Sequence, residues 1–259
     1  MKILIATHKD KCYFDSLIFN PIQVNFANNP HLIDFNYFQD NNGENISIKN
    51  QTFCELTALY WSWKNLSTEN IIGLNHYRRY FNFLNNSIFR PHRILEVNGN
   101  DPIIKKHNSS EIKINKRVNN WLKKHDVLLP YIRKIKVDKK YMSISDEYCK
   151  NHITSDWITA MEIIVEKYPE YKKSIDENFN NSNEIYLMNI FVAKYEWVNS
   201  YCNWLFDILF ELEKRIIINE DPYQRRVFGF ISERLLTLYV KHNKSKVKEM
   251  QLIFINDVF

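Results

Sequence analysis

Residues 2–7 (KILIAT), apolar from Ile3 to Ala6, lead into the polar stretch Thr7-His8-Lys9-Asp10, the pattern of a buried strand that empties into a loop. Residues 22–26 (IQVNF) fit a second short strand, and residues 39–51 a turn-rich polar loop with Gly43 as its only glycine. Thr52-Phe53-Cys54-Glu55 matches a capping box, so a helix is expected over 52–65 with Leu56, Leu59, Tyr60 and Trp63 on its buried face. Residues 70–75 (NIIGLN) read as a buried strand running into His76-Tyr77-Arg78-Arg79-Tyr80-Phe81, and 84–120 as a polar, irregular excursion with Pro91, Gly99 and Pro102. Strands are expected at 126–130 (DVLLP) and 185–193 (IYLMNIFVA), and two or three helices over 141–178, broken near Pro169. A long helix at 195–214 would bury Val198, Tyr201, Leu205, Ile208 and Leu212. A last helix is expected at 223–241 and an edge strand at 249–255. Strand, loop, helix, strand in this order predicts an α/β fold: a mainly parallel sheet flanked by helices, with a helical C-terminal half.

Composition narrows the class. The 259 residues suit one domain, 1–259. Seventeen Phe, 15 Tyr and 6 Trp supply too much burial for a disordered chain, and 4 Gly with 7 Pro exclude collagen-like or linker-like sequence. No run approaches the roughly 18 apolar residues of a membrane span, and the first apolar stretch is too short for a signal peptide, so a cytoplasmic location is expected. Cys12, Cys54, Cys149 and Cys202 are scattered without a CxxC pair, which disfavours a zinc cluster or a disulfide framework. The net charge of +5 does not by itself diagnose nucleic-acid binding. It also suits a phosphorylated small molecule or an anionic membrane surface.

Ligands of open α/β sheets bind beyond the carboxyl ends of the strands. Three polar clusters are expected there: Thr7, His8 and Lys9; His76, Tyr77, Arg78 and Arg79; and the loop at 43–47 with Asn45 and Ser47, ahead of an anion-favouring helix start at 52. The guanidinium forks of Arg78 and Arg79 suit phosphate or carboxylate, and together the clusters suggest a diphosphate site. Each has a plainer reading: surface ion pairs for Arg78 and Arg79, helix capping for Glu55, a loop hydrogen bond for His8. GxGxxG, GxxxxGK[ST], GxSxG and HExxH are all absent, which disfavours redox cofactors and P-loop hydrolysis.

Longer blocks carry a family resemblance: ATHK at 6–9, PIQV at 21–24, GENIS with KN across 43–50, CELTALYWSWKN at 54–65, IGLNHYRRYF at 72–81, MNIF at 188–191, YCNWLFDILFELE at 201–213 and RVFGFISERL at 226–235. In this order they span nearly the whole chain. The sequence resembles the bacterial capsular and exopolysaccharide synthesis family that includes galactofuranosyltransferase-like enzymes, formerly a domain of unknown function. The resemblance implies a GT-A-like fold with a donor-nucleotide half at about 1–130 and an acceptor half at about 131–259. It implies transfer of a sugar, including the galactofuranose type, from a UDP-sugar to a growing capsular or surface polysaccharide, with inversion. It also implies an oligosaccharide or lipid-linked glycan acceptor and peripheral contact with the inner membrane or capsule assembly proteins.

GT-A enzymes usually place an Asp-x-Asp where this chain has His76-Tyr77-Arg78. Two carboxylates suit a divalent cation, whereas His and Arg do not, so metal-independent stabilisation of the leaving group is favoured, with no metal ligands assigned. Inverting transfer needs a base. Glu233 matches the late acidic position by chain order, and Asp156, four residues after His152, is the runner-up. Glu55, Trp61, His152, Asn189, Arg226 and Arg234 are candidates for the acceptor side or the pocket. The competing class is a non-catalytic module that binds nucleic acid or an anionic glycan. The aromatics fall at core periodicities rather than between Lys and Arg on one face, which disfavours it, and no nucleic-acid partner is expected.

Overall fold

The computed structural model describes residues 1–9, 12–28, 37–85 and 93–256; Asp10 and Pro91 lie outside them. The first half supplies β1 (Lys2–Thr7), β2 (Phe19–Gln23), β3 (Phe38–Gln39), a short helix α1 (Asn50–Phe53), α2 (Leu56–Asn65), β4 (Ile71–His76), β5 (Arg79–Phe81), β6 (Ile94–Val97), α3 (Pro102–Asn108), α4 (Glu111–Leu122) and β7 (Val127–Pro130). The second half adds three short strands, β8 (Arg133–Lys134), β9 (Lys136–Val137) and β10 (Lys140–Tyr141). After them come α5 (Ile144–Asn151), α6 (Thr154–Lys167), α7 (Lys172–Ile175), β11 (Glu184–Ile185), β12 (Phe191–Lys194), the long α8 (Tyr195–Arg215), α9 (Val227–His242), β13 (Val247–Met250) and β14 (Leu252–Ile255).

The main sheet runs β13-β7-β12-β4-β1-β2-β3, with β14 bridging β5 and β6 beside it. The pairings β1–β2, β1–β4, β2–β3 and β7–β13 are parallel, and β12 runs antiparallel to both β4 and β7. The apolar run of β1 is unbroken because both its faces are covered. Leu4 and Ala6 enter the core shared with α2, α8 and α9, while Ile3 and Ile5 enter the core shared with α4 and β14. β7 and β12 divide in the same way, Val127 and Phe191 to the first core and Leu128 and Val192 to the second. All five stripe residues expected on α8 are buried. Trp63 of α2 stacks parallel on Phe206 of α8, with centroids 5.7 Å apart, an arrangement worth about 0.5–1.5 kcal/mol beyond its burial.

Four expectations are corrected. The helix over 52–65 is broken: Cys54 takes φ 53°, α1 ends before it, and Thr52 Oγ1 donates to Lys49 O instead of capping. The region 84–120 is not irregular throughout, since Asp101 caps α3 by accepting from Ile103 N–H, and α4 buries Ile114, Val118 and Leu122. The strand at 185–193 divides into β11 and β12 around a turn in which Met188 and Asn189 have φ 80° and 50°. The second strand begins at Phe19 and ends at Gln23 rather than covering 22–26.

Gly73 makes the β4–β12 pairing possible. A Cβ there would lie 2.7 Å from Val192 Cγ2 and 3.1 Å from Phe191 O. Gly73→Ala should therefore lower stability by about 1–3 kcal/mol, seen as a lower urea midpoint; an unchanged midpoint would show that Val192 can rotate away without penalty.

Candidate functional site

The carboxyl ends of β1 and β4 lie side by side, Ala6 in register with His76, and Tyr77 N–H donates to Ala6 O at 3.1 Å. A cleft of about 870 Å³ opens beyond this edge. His8, His76, Tyr77 and Arg79 line it from the sheet, Asn50, Gln51, Cys54 and Glu55 from the break between α1 and α2, and Arg225, Arg226, Phe230 and Glu233 from α9 and the turn before it. Cys54 and α9 approach closely because residue 229 is Gly: a Cβ there would stand 3.2 Å from Cys54 Sγ. Arg226 Nε donates to the same sulfur at 3.3 Å.

The turn before β12 fixes the carboxylates. Asn189 Nδ2 donates to Glu55 Oε1 at 2.7 Å and to Ser232 Oγ at 2.8 Å. Met188 N–H donates to Glu233 Oε1 at 3.0 Å. Burial, then the charge of Glu55, push the Glu233 carboxyl up to about 7 against the pull of Arg234, Met188 N–H and Arg79. This side chain is 23% exposed, so it is screened from bulk water yet open to the cleft. His8 meets Tyr77 edge-on at 5.0 Å, and burial with the charges of Lys9 and Arg226 holds its pKa below the usual range. Burial also lowers His76, whose Nε2 has no partner in the described structure. Both histidines are thus neutral at pH 7. Burial, foremost, raises the Cys54 thiol to about 11, leaving it an unreactive donor–acceptor.

His8, His76, Tyr77, Arg79, Glu55, Arg226 and Glu233 meet in this cleft; other expected residues do not line it. Arg78 turns away, its Nε donating to Ile255 O at 2.9 Å and its guanidinium lying over Phe254. Thr7 is fully buried and closes a turn with Lys9 N–H. Asn45 braces its own loop through Asn41 O and Gly43 O, and Ser47 is buried against Asp40. Trp61 donates to Asn42, 2.8 Å from its Oδ1. Asp156 is buried in the first turn of α6, outside the cleft. Arg234 is held by Glu147 at 2.8 Å. His152 stacks on Phe230, one layer behind the wall, and Asn189 reaches the cleft's lining by its bond to Glu55. Glu55 does not cap a helix with its side chain, and Glu233 lies two turns into α9 rather than at its start. Sequence reasoning missed Asn50, Gln51 and Arg225, which reach the cleft only because the helix breaks at Cys54 and a turn precedes α9. Among the described residues, no cluster of three or more His, Cys, Asp or Glu is placed to hold a metal, and no helix is long and apolar enough to cross a membrane.

Fold and site together define a mixed α/β protein with a carboxylate- and arginine-lined cleft at the carboxyl edge of its sheet. The chain belongs to the family described as a domain of unknown function (DUF4422), whose model matches residues 2–244. It is similar to a solved structure described as the apo form of WbbM, a bifunctional glycosyltransferase, with a TM-score of 0.88 and 31% identity over 99% of this chain. The chain spans 45% of that protein's length. Comparison with curated proteins finds no match.

A carboxyl held above its ordinary pKa favours the protonated fold. The penalty at Glu233 is absent below about pH 4.5, grows as pH rises, and is complete once pH passes about 7. Glu233→Gln should therefore melt at least about 2 °C above the parent at pH 8, with a smaller difference at pH 5. A variant equally or less stable at pH 8 would mean that the charged carboxylate is welcome where it sits.

Proposed function

We propose that this protein is a glycosyltransferase that moves a sugar from a nucleoside-diphosphate donor to a hydroxyl of a glycan. Glu233 carries the reading: a carboxyl raised to about 7, fixed by a backbone N–H, facing a cleft that a second carboxylate, Glu55, two histidines and three arginines also line. The likeness to a portion of a protein described as a bifunctional glycosyltransferase supports the same class.

On this reading the nucleoside lies towards His8 and Asn25, and the diphosphate meets Arg226 and Arg225. Glu233 takes the proton of the acceptor hydroxyl as that oxygen attacks the anomeric carbon. The bond from that carbon to the diphosphate oxygen breaks, its electron pair leaves with the nucleotide, and the anomeric centre inverts. Glu55, held by Asn189, raises the proton affinity of Glu233. Guanidinium groups answer the charge of the leaving diphosphate. A hard cation wants about six oxygen ligands; here one carboxylate is engaged by Asn189 and the other by Met188, so the donor set fits a cation poorly. A UDP-sugar donor, including the galactofuranose type, a capsular or surface polysaccharide acceptor and peripheral contact with the membrane belong to the same proposal and rest on the family resemblance. A stacking module for nucleic acid is disfavoured because Trp63, Tyr201 and Phe206 are buried.

Glu233→Gln should cut kcat by about 10²–10⁴-fold with the Kd for UDP nearly unchanged; near-parental turnover would remove Glu233 as the base. Arg226→Ala should weaken UDP binding by roughly 10- to 150-fold, measured by calorimetry, and normal binding would place the diphosphate elsewhere. Transfer should continue in EDTA; loss of activity restored by Mn²⁺ would overturn the metal-independent mechanism.

A further inference from the structure

A second set of guanidinium groups lies on another side of the fold: Arg79 acts on Glu233, and Glu233 in turn acts on Arg133. Arg226 sits against Cys54 and its field reaches His8. Arg133, in contrast, feels Arg93, Arg79 and Glu233. Three separate pairings bring this set together. Arg79 faces Phe254 of β14, Arg93 O accepts from Leu252 N–H on the same strand at 3.0 Å, and Arg133 is paired with Ile185 through β8 and β11. Between Arg93, Arg133, Tyr131 and Met188 lies a notch of about 10 Å³, room for a single water, and Met188 also lines the main cleft.

Like charges gathered this way repel. Burial, then Arg93 and Arg79, push the Arg133 guanidinium below its usual pKa, and Glu233 is the carboxylate that opposes them. No ion pair to a described residue neutralises Arg79, Arg93 or Arg133. The nearby Glu249 turns its Oε1 to Ile132 N–H at 2.9 Å. Arg79 and Arg133 are half-buried, while Arg93 stays open to solvent. An unpaired trio beside a reactive carboxyl group is arranged for an incoming anion, and planar forks select phosphate or carboxylate.

We propose that the acceptor carries an anionic group, a phosphate or a carboxylate, and that Arg79, Arg93 and Arg133 hold it so that a neighbouring hydroxyl reaches Glu233. The inference rests on the glycosyltransferase reading. Ligand-observed NMR titrations with methyl glucuronide, methyl glucoside 6-phosphate, neutral methyl glucoside and UDP test it. The parent should bind the two anionic sugars at least about ten-fold more tightly than the neutral one. Arg93→Ala, at an exposed residue, and Arg133→Ala should each erase most of that preference and leave UDP affinity within about two-fold. Equal binding of charged and neutral sugars by the parent, or a preference that survives both substitutions, overturns the proposal. So does a roughly ten-fold loss of UDP affinity in Arg93→Ala, which would give the cluster to the donor diphosphate. A parent that discriminates by charge through these arginines but never binds UDP would sink the donor assignment and leave the anion subsite standing.

Discussion

The side-chain amide of Asn189 ties together the parts of the chain that build the cleft. Its Nδ2 reaches Glu55 at the head of α2 and Ser232 in the middle of α9, while its own backbone leads into β12. To aim it there, Met188 and Asn189 both enter the left-handed region, and across the cleft Cys54 does the same. Each such residue costs on the order of 1–3 kcal/mol. The surroundings over-determine the geometry. Ile190 and Phe191 are fully buried immediately after the turn, and Cys54 O accepts from Asn50 Nδ2 at 2.7 Å and from Thr57 Oγ1 at 3.2 Å. Of the seven described non-glycine residues with positive φ, Asn25, Cys54 and Met188 line the cleft and Asn189 is bonded to its Glu55, a placement that fits a site whose geometry matters more than its local stability.

The arginines divide by what holds them. Arg234 gives its guanidinium to Glu147, and Arg78 spends its Nε on Ile255 O, so both are part of the scaffold. Arg79, Arg225 and Arg226 keep cleft-facing positions. The carboxylates divide in the same way. Asp40, fully buried, accepts from Asn25 N–H, Phe26 N–H, Ser47 and Thr57 and locks the loop ahead of α1. Glu55 and Glu233 are left to face the cleft near one another, and their mutual repulsion adds to burial in raising Glu233. A carboxyl tuned towards neutrality thus arises from two acids and a shortage of water, with no unusual residue needed.

Sequence patterning made the layers legible because periodicity reports burial directly: KILIAT, NIIGLN and the stripe of α8 are where the unbroken or helical apolar runs placed them. The mainly parallel order followed from alternation of strand and helix. It could not reveal the break at Cys54, since Thr52 and Glu55 have the spacing of a cap and only the packing of Phe53 on Phe228, at 4.3 Å, shows why the chain turns there. Arg78 and Arg79 are indistinguishable in composition. Arg78 stands just ahead of β5 and gives its Nε to Ile255 O, whereas Arg79 opens the strand and stays at the cleft. The approach of Arg93 to Arg79 was invisible for the same reason, because it depends on β14 bridging β5 and β6 from the far end of the chain, while Arg133 enters through β8 and β11.

The reversed strand explains why late residues complete an early site. In a wholly parallel sheet the carboxyl edge receives only strand ends, each followed by a loop into a helix. Here β12 runs against β4, with Phe191 opposite Leu74 and Lys194 opposite Ile71, so it is the beginning of β12 that lies beside Asn75 and His76. The turn carrying Met188 and Asn189 is therefore delivered to the carboxyl edge before the strand starts, and α9 packs close enough for Ser232 and Glu233 to meet that turn. One antiparallel insertion thereby converts an edge that could only cradle a ligand into one that sets a tuned carboxyl group opposite it.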